Sequence, residues 1–424
     1  MKGRIQMSNK IPCDGGLLAL SPDGQFFAVK TRKRIVVSSS STLQNCMSFS
    51  TSDSVKILKF SPNSKYVSWL STNPCSLNIC RVDNKDKLEI PINPGLEVVS
   101  LIYGVNCLLF ISELEVFIGV YDFKKHRSFT LEGCSLDDFD CPLLTFSPCG
   151  DYLAYVKGHQ LVVHCTETWD LKSSFNCPIS PQRPRFVNPY TIFLFNHDGV
   201  IEWFTIFGTK IKSDSVLPSR CIVNTELSKD SRTLFGSTYD NKVLSFDTIS
   251  MERKAELEYV YSIEPGAKVR NFVATNDVQR SENVRLQKFE ETDQIPVREL
   301  KNVMDQFKRK TETQHFTVLN YDDSLLATYN PDHLNTVWVW DFFKKDRLES
   351  IISLSETAGK IKALRWHPFT NRLAICCSNL VVIWTKWDDL LGFQGDNMNF
   401  KWLNIKAAIG VLIFEGDCRF VYFK

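Results

Sequence analysis

Apolar and polar positions alternate along most of this chain in short runs separated by turn residues, which is the period of strands and not of helices. The clearest run is Asn335 to Lys345, N-T-V-W-V-W-D-F-F-K-K, where alternation puts Val337 and Val339 on one face and Trp338 and Trp340 on the other. A second pattern recurs: apolar-x-apolar, then Ser-Pro, then Asp or Asn, then Gly or Ser, then an aromatic and an apolar residue. It reads as strand, tight turn, strand, because proline presets φ and Asp, Asn or Gly suits the tight or left-handed position. The unit appears as L-A-L-S-P-D-G-Q-F-F from Leu18, L-K-F-S-P-N-S-K-Y-V from Leu58 and L-T-F-S-P-C-G-D-Y-L from Leu144. It returns as L-R-W-H-P-F-T-N-R-L from Leu364, with weaker copies from Thr225 and Val318.

Leu20, Phe60, Phe146 and Leu227 hold equivalent places and lie 40, 86 and 81 residues apart. That is one, two and two periods of about 40 to 43 residues, the length of a four-stranded propeller blade. Trp340-Asp341 is the dipeptide that names the WD repeat. Nine such units can be counted, the third without its Ser-Pro turn. The expectation is an all-β, WD40-type β-propeller, a single nine-bladed ring over residues 1–424. Two smaller propellers, or a seven-bladed ring with extra strands, are the alternatives. The chain ends on a strand expected to be tied into the closing blade. An interruption of about 262–314 falls between units six and seven. After Pro296, apolar residues at 297, 300, 303, 304 and 307 predict a short helix. The interruption either packs on the propeller flank or offers that helix to a partner. Trp340 and Trp366 are expected to be structural core residues, with Trp338, Asp341 and Trp384 belonging to the same motif.

Composition narrows the function. Apolar residues make up 43% of 424, with 30 Phe and 9 Trp, enough for a large β core. A net charge of +2 gives no electrostatic footprint for nucleic acid or membrane. The opening residues, M-K-G-R-I-Q-M-S-N-K, lack a signal-peptide apolar region, and no apolar run is long enough to span a bilayer. Fourteen cysteines show no C-x-x-C pair and sit mostly among apolar neighbours, so reduced buried thiols are expected, without disulfide or zinc. No glycine-rich phosphate loop and no G-x-S-x-G elbow is present, and seven histidines are scattered. The expectation is no catalysis, no cofactor and no metal. Basic turns follow the third strand of units three and seven: Lys124, Lys125 and Arg127, and Lys344, Lys345 and Arg347. They read either as solvated turns or as contacts for an acidic partner or the acidic microtubule surface.

The V-W-V-W-D-F-F-K-K-D-R-L block, the R-W-H-P-F-T-N-R-L-A-I-C block and the F-S-P-D/N openings resemble the spindle-pole and centrosomal WD-repeat family, the WD-repeat protein eight type that includes the WD protein antisense to the p-fifty-three tumour suppressor. The resemblance covers nearly the whole chain and is most specific from Asn335 to Trp384. It implies a non-enzymatic scaffold at the spindle pole body or centrosome, within the cytoplasm or nucleus. The implied partners are a coiled-coil microtubule-anchoring protein and a kinesin-14 class motor, and through them microtubules or the gamma-tubulin complex. A translation-initiation propeller and a ubiquitin-ligase substrate receptor are the competing readings. The first would bring flanking RNA-binding or helical segments and the second an F-box or linker-binding helix.

Overall fold

The structure is a computed structural model. It describes residues 5–423 except 52–53, 74, 85, 93–97, 113–116, 137–141, 178–183, 197–198, 216–221, 239–241, 260–268, 281–284, 293–315, 331–334 and 343–347. The described residues build nine antiparallel modules. Eight are four-stranded and consecutive in sequence, at 18–50, 55–91, 98–132, 144–176, 185–215, 222–258, 316–353 and 361–394. The ninth joins three strands of 399–423 to an outer strand from the start of the chain, Ile5–Met7. They are called blades one to nine below.

The Ser-Pro unit and its variants explain how several of the blades begin. Ser21 Oγ donates to Asp23 Oδ1 (2.6 Å) and accepts from the Phe26 amide (2.8 Å), while Asp23 Oδ1 accepts from the Gln25 amide (3.0 Å). Gly24 supplies the left-handed position, φ +70°. Ser61 with Asn63 and Ser228 with Asp230 repeat the same bonds. In blade seven Asn320 replaces the serine, and its Oδ1 accepts from the Leu325 amide at 3.0 Å. One side chain thus closes the turn and satisfies the amide that opens the second strand.

Second and third strands are buried on both faces and read as nearly continuous apolar runs, such as Cys107–Ser112 and Thr191–Phe195. Fourth strands differ. In blades three to five they are Arg127–Glu132, Leu171–Asn176 and Lys210–Ser215, polar and largely exposed.

The chain divides into two compact units, residues 1–89 with 259–424, and residues 90–258. The second holds blades three to six, and apolar clusters fill the spaces between blades three and four, four and five, and five and six. In the first unit, clusters join blades seven and eight, eight and nine, nine and one, and one and two.

The interruption after blade six contributes a β-hairpin, Arg270–Arg280 with Arg285–Glu291. Its first strand runs parallel to Leu348–Ser353, the fourth strand of blade seven, and its second pairs antiparallel with Leu391–Gln394, the fourth strand of blade eight. Blades seven and eight therefore share one ten-stranded sheet. This accounts for the odd composition of Leu348–Ser353, L-E-S-I-I-S, which is buried throughout. Gly392 has a local reason as well, since a Cβ there would lie 2.7 Å from that of Gln287 on the hairpin. The helix expected after Pro296 lies outside the described residues.

Candidate functional site

The WD block is built as core. Val337 and Val339 enter the cluster between blades seven and eight, and Trp338 on the other face packs at a tilt of 59° against Tyr259 with centroids 4.6 Å apart. Trp340 Nε1 donates to Thr328 Oγ1 at 2.9 Å in a buried setting. Asp341, also buried, pairs with Lys386 of blade eight at 2.7 Å. Asp122 and Asp247 end the equivalent strands of blades three and six and accept amide hydrogen bonds from the turns that follow. Trp384 is fully buried. Trp366 is only half-buried: it packs edge-on to Trp384 at 5.8 Å and donates its Nε1–H to the Val318 carbonyl at 2.9 Å. The reason is its place on the first strand of its blade, which lies at a sheet edge.

Of the basic turn residues, Lys124, Lys125 and Arg127 are exposed. Lys125 Nζ donates to the Glu167 carbonyl of blade four at 2.7 Å, and the Arg127 guanidinium sits over Phe129 at 5.3 Å. Lys344, Lys345 and Arg347 lie outside the described residues. Twelve cysteines are described and unbridged, most of them buried, although Cys46 and Cys149 are exposed. Cys376 and Cys377 face different clusters, as alternation requires. Burial pushes the Cys107 thiol up to about 12 and the Cys376 thiol to about 11, which leaves them unreactive near neutral pH. Among the described residues no group of three or more His, Cys, Asp or Glu is placed to hold a metal ion.

Chemistry gathers instead where the first strands of blades one, two, eight and nine converge: Leu18–Leu20, Val55–Phe60, Ile361–Trp366 and Asn399–Trp402. Between them lies an open recess of about 620 Å³. Lys59, Arg365 and Lys401 line it, with the rings of Phe60, Trp366 and Trp402. First strands lie at sheet edges, so some of their carbonyls need partners from the next blade. Side chains supply them. Arg365 donates to the Phe400 carbonyl and Trp402 Nε1 donates back to the Arg365 carbonyl at 2.9 Å. Lys401 Nζ donates to the Leu18 carbonyl at 2.6 Å.

Burial first, then the charges of Arg365 and Lys59, holds the Lys401 amine down to about 8. Cys13 is its other titratable neighbour. A depressed lysine is charged in both folded and unfolded chains below its folded pKa, so it weakens the fold there. That penalty is relieved as pH rises from about 8 towards the ordinary lysine value. The melting temperature of the wild type should therefore gain on that of Lys401→Met between about pH 7 and about pH 9.5. Parallel curves in thermal unfolding would show that the amine is not depressed.

The sequence reading missed this site because its cations are spread over three distant strands. The signal was present as an apolar-cation-aromatic triplet in one register: Leu58-Lys59-Phe60, Leu364-Arg365-Trp366 and Phe400-Lys401-Trp402.

No protein-family model matches the chain, and no curated protein does. Among solved structures it is similar to the C-terminal WD40 domain of Sif2, with a TM-score of 0.53 at 11% identity over 92% of this chain and 98% of that one. It also matches Kluyveromyces lactis Hsv2, TM-score 0.44 at 11% identity over 81% and 97%, and the dihydro-heme d1 dehydrogenase NirN in complex with DHE, TM-score 0.47 at 13% identity over 79% and 65%. The likeness to Sif2, with the repeated four-stranded sheets, shows the fold: the chain is an all-β, WD40-type β-propeller. The nine modules among the described residues are consistent with nine blades.

Proposed function

We propose that this propeller is a non-enzymatic adaptor that gathers a coiled-coil microtubule-anchoring protein and a kinesin-14 class motor at the spindle pole body or centrosome, holding microtubule minus ends there. The observation that carries the adaptor reading is the repeated turn after the third strand. It presents Phe207 in blade five, Ile249 in blade six and Trp387 in blade eight at 69%, 77% and 84% exposure. Large apolar side chains held out at the tips of short turns on a stiff sheet suit protein contact. The repeated turn and strand pattern goes to structure, while these tips remain exposed. The partners come from the resemblance of Asn335 to Trp384 to the spindle-pole family, and Lys124, Lys125, Lys344, Lys345, Arg127 and Arg347 would steer an acidic helix. The single nine-bladed ring is part of the same proposal, and an experimental structure with two separate ring axes would refute it.

The test is localisation of a tagged chain together with affinity recovery. Concentration at spindle poles and recovery of a coiled-coil pole protein and a kinesin are expected, with charge reversal at Lys124 and Lys125 reducing recovery without changing the melting temperature. Normal spindle poles after deletion, with no polar concentration of the protein, would refute the reading. Recovery of ribosomal or cullin subunits instead would replace it with the translation or ubiquitin-ligase alternative.

A further inference from the structure

We propose that the recess between blades eight, nine, one and two is a binding site for an acidic peptide segment, seating a carboxylate or phosphate against Lys401, Arg365 and Lys59 and an apolar neighbour against Trp366 and Trp402.

The case begins with charge. Several cations elsewhere in the described residues meet carboxylates. Lys386 lies 2.7 Å from Asp341 and 3.8 Å from Glu349, Lys210 lies 2.7 Å from Glu202, and Lys254 lies 2.7 Å from Asp247. Lys242 pairs with both Glu256 and Glu258. Arg365 and Lys401 in the recess do not meet carboxylates. They donate to backbone carbonyls, and none of the described residues lining the space is acidic. A carbonyl satisfies an N–H but does not neutralise its charge, so like charges are left together in a half-buried setting. An incoming anion relieves that repulsion and gains charge-assisted hydrogen bonds, the guanidinium being able to bind it bidentately.

Size and lining then select the kind of anion. About 620 Å³ falls in the range of sites for molecules much larger than a bare oxyanion. The rings lining the recess have an organised role too. The indole N–H groups of Trp366 and Trp402 are spent on Val318 and Arg365, so what they leave for a ligand is ring surface. Cations beside apolar surface fit a chain that alternates acidic and aliphatic side chains. A nucleic acid would call for a longer basic track than three cations in one recess, and the net charge of +2 offers none.

The inference does not depend on where in the cell the protein acts, and it is tested separately. Fluorescence anisotropy with the purified full chain would compare a labelled hexapeptide of alternating glutamate and leucine with its glutamine counterpart, and inorganic phosphate would be added as competitor. The glutamate peptide is expected to bind, with the glutamine peptide weaker by about tenfold or more, as loss of charge-assisted bonds implies. Lys401→Met should weaken the glutamate peptide by a similar factor, about tenfold. Lys59→Glu serves as the second variant because Lys59 is exposed and its exchange leaves the packing alone. Phosphate should displace the peptide competitively. Equal binding of the two peptides, or unchanged binding in Lys59→Glu and Lys401→Met chains that melt as cooperatively as the wild type, would overturn the proposal. So would binding of phosphate with neither peptide, which would leave a small-anion site only.

Discussion

Trp340→Ala is expected to lower stability by about 3–5 kcal/mol, the usual cost of emptying a fully packed aromatic site. Trp340 is 2% exposed, bonded to Thr328, opposite Leu326 across the strand pair and 5.9 Å from the Tyr259 ring. Truncation would leave both a cavity and a buried hydroxyl without its indole donor. Trp366→Ala should cost clearly less, because that ring is half-buried and its cavity would open to the recess. Thermal unfolding of the two variants beside the wild type decides it. Equal losses, or an unchanged melting temperature for Trp340→Ala, would refute the burial argument.

Replacing 270–291 with a Gly-Ser linker is expected to make the chain self-associate more than the intact one. The hairpin pairs with Arg270 to Val273 opposite Ser350 to Ser353 on one side and with Gln394 to Gly392 on the other. Each ladder hydrogen bond lost costs about 1 kcal/mol. The larger effect is exposure. The fourth strand of blade seven carries Ile351 and Ile352, both 0% exposed while the hairpin is in place. Uncovered, it becomes a flat apolar edge, the template that pairs with other chains. Static light scattering across a concentration series should show mass growing with concentration in the variant. A variant that scatters like the intact chain would mean the edge is covered by something other than the hairpin.

How much of this was legible follows from how locally each feature is encoded. The Ser-Pro turns were readable because every bond in them lies within five residues, as between Ser21 and Phe26. The role of Trp338 and Trp340 was readable from alternation alone. Trp366 was read as structural from its place on the first strand of its unit, and how far it is buried there depends on what the next blade brings. The hairpin escaped because Arg270–Arg280 and Arg285–Glu291 are rich in charge, and their partners are strands of blades seven and eight far along the chain. A clue lay in the fourth strands, where L-E-S-I-I-S stands against polar runs such as K-I-K-S-D-S. The recess escaped for the same reason of distance: Lys59, Arg365 and Lys401 become neighbours only when blades two, eight and nine converge.

The ninth blade carries a consequence for the order of events during synthesis. Its outer strand, Ile5–Met7, is made long before its register partners, Val421 to Phe423, which lie on the far side of all eight other blades. Contacts of such separation form late and slowly, because the loop between them must be ordered before they return any free energy. While the residues between them are being made, the early segment has no partner. Assembly of this blade therefore waits until the other eight have been made, and a chain stalled before Asp417–Phe423 would display the open flank of blade one, with Leu18, Phe27 and Val29, to whatever chaperones meet it.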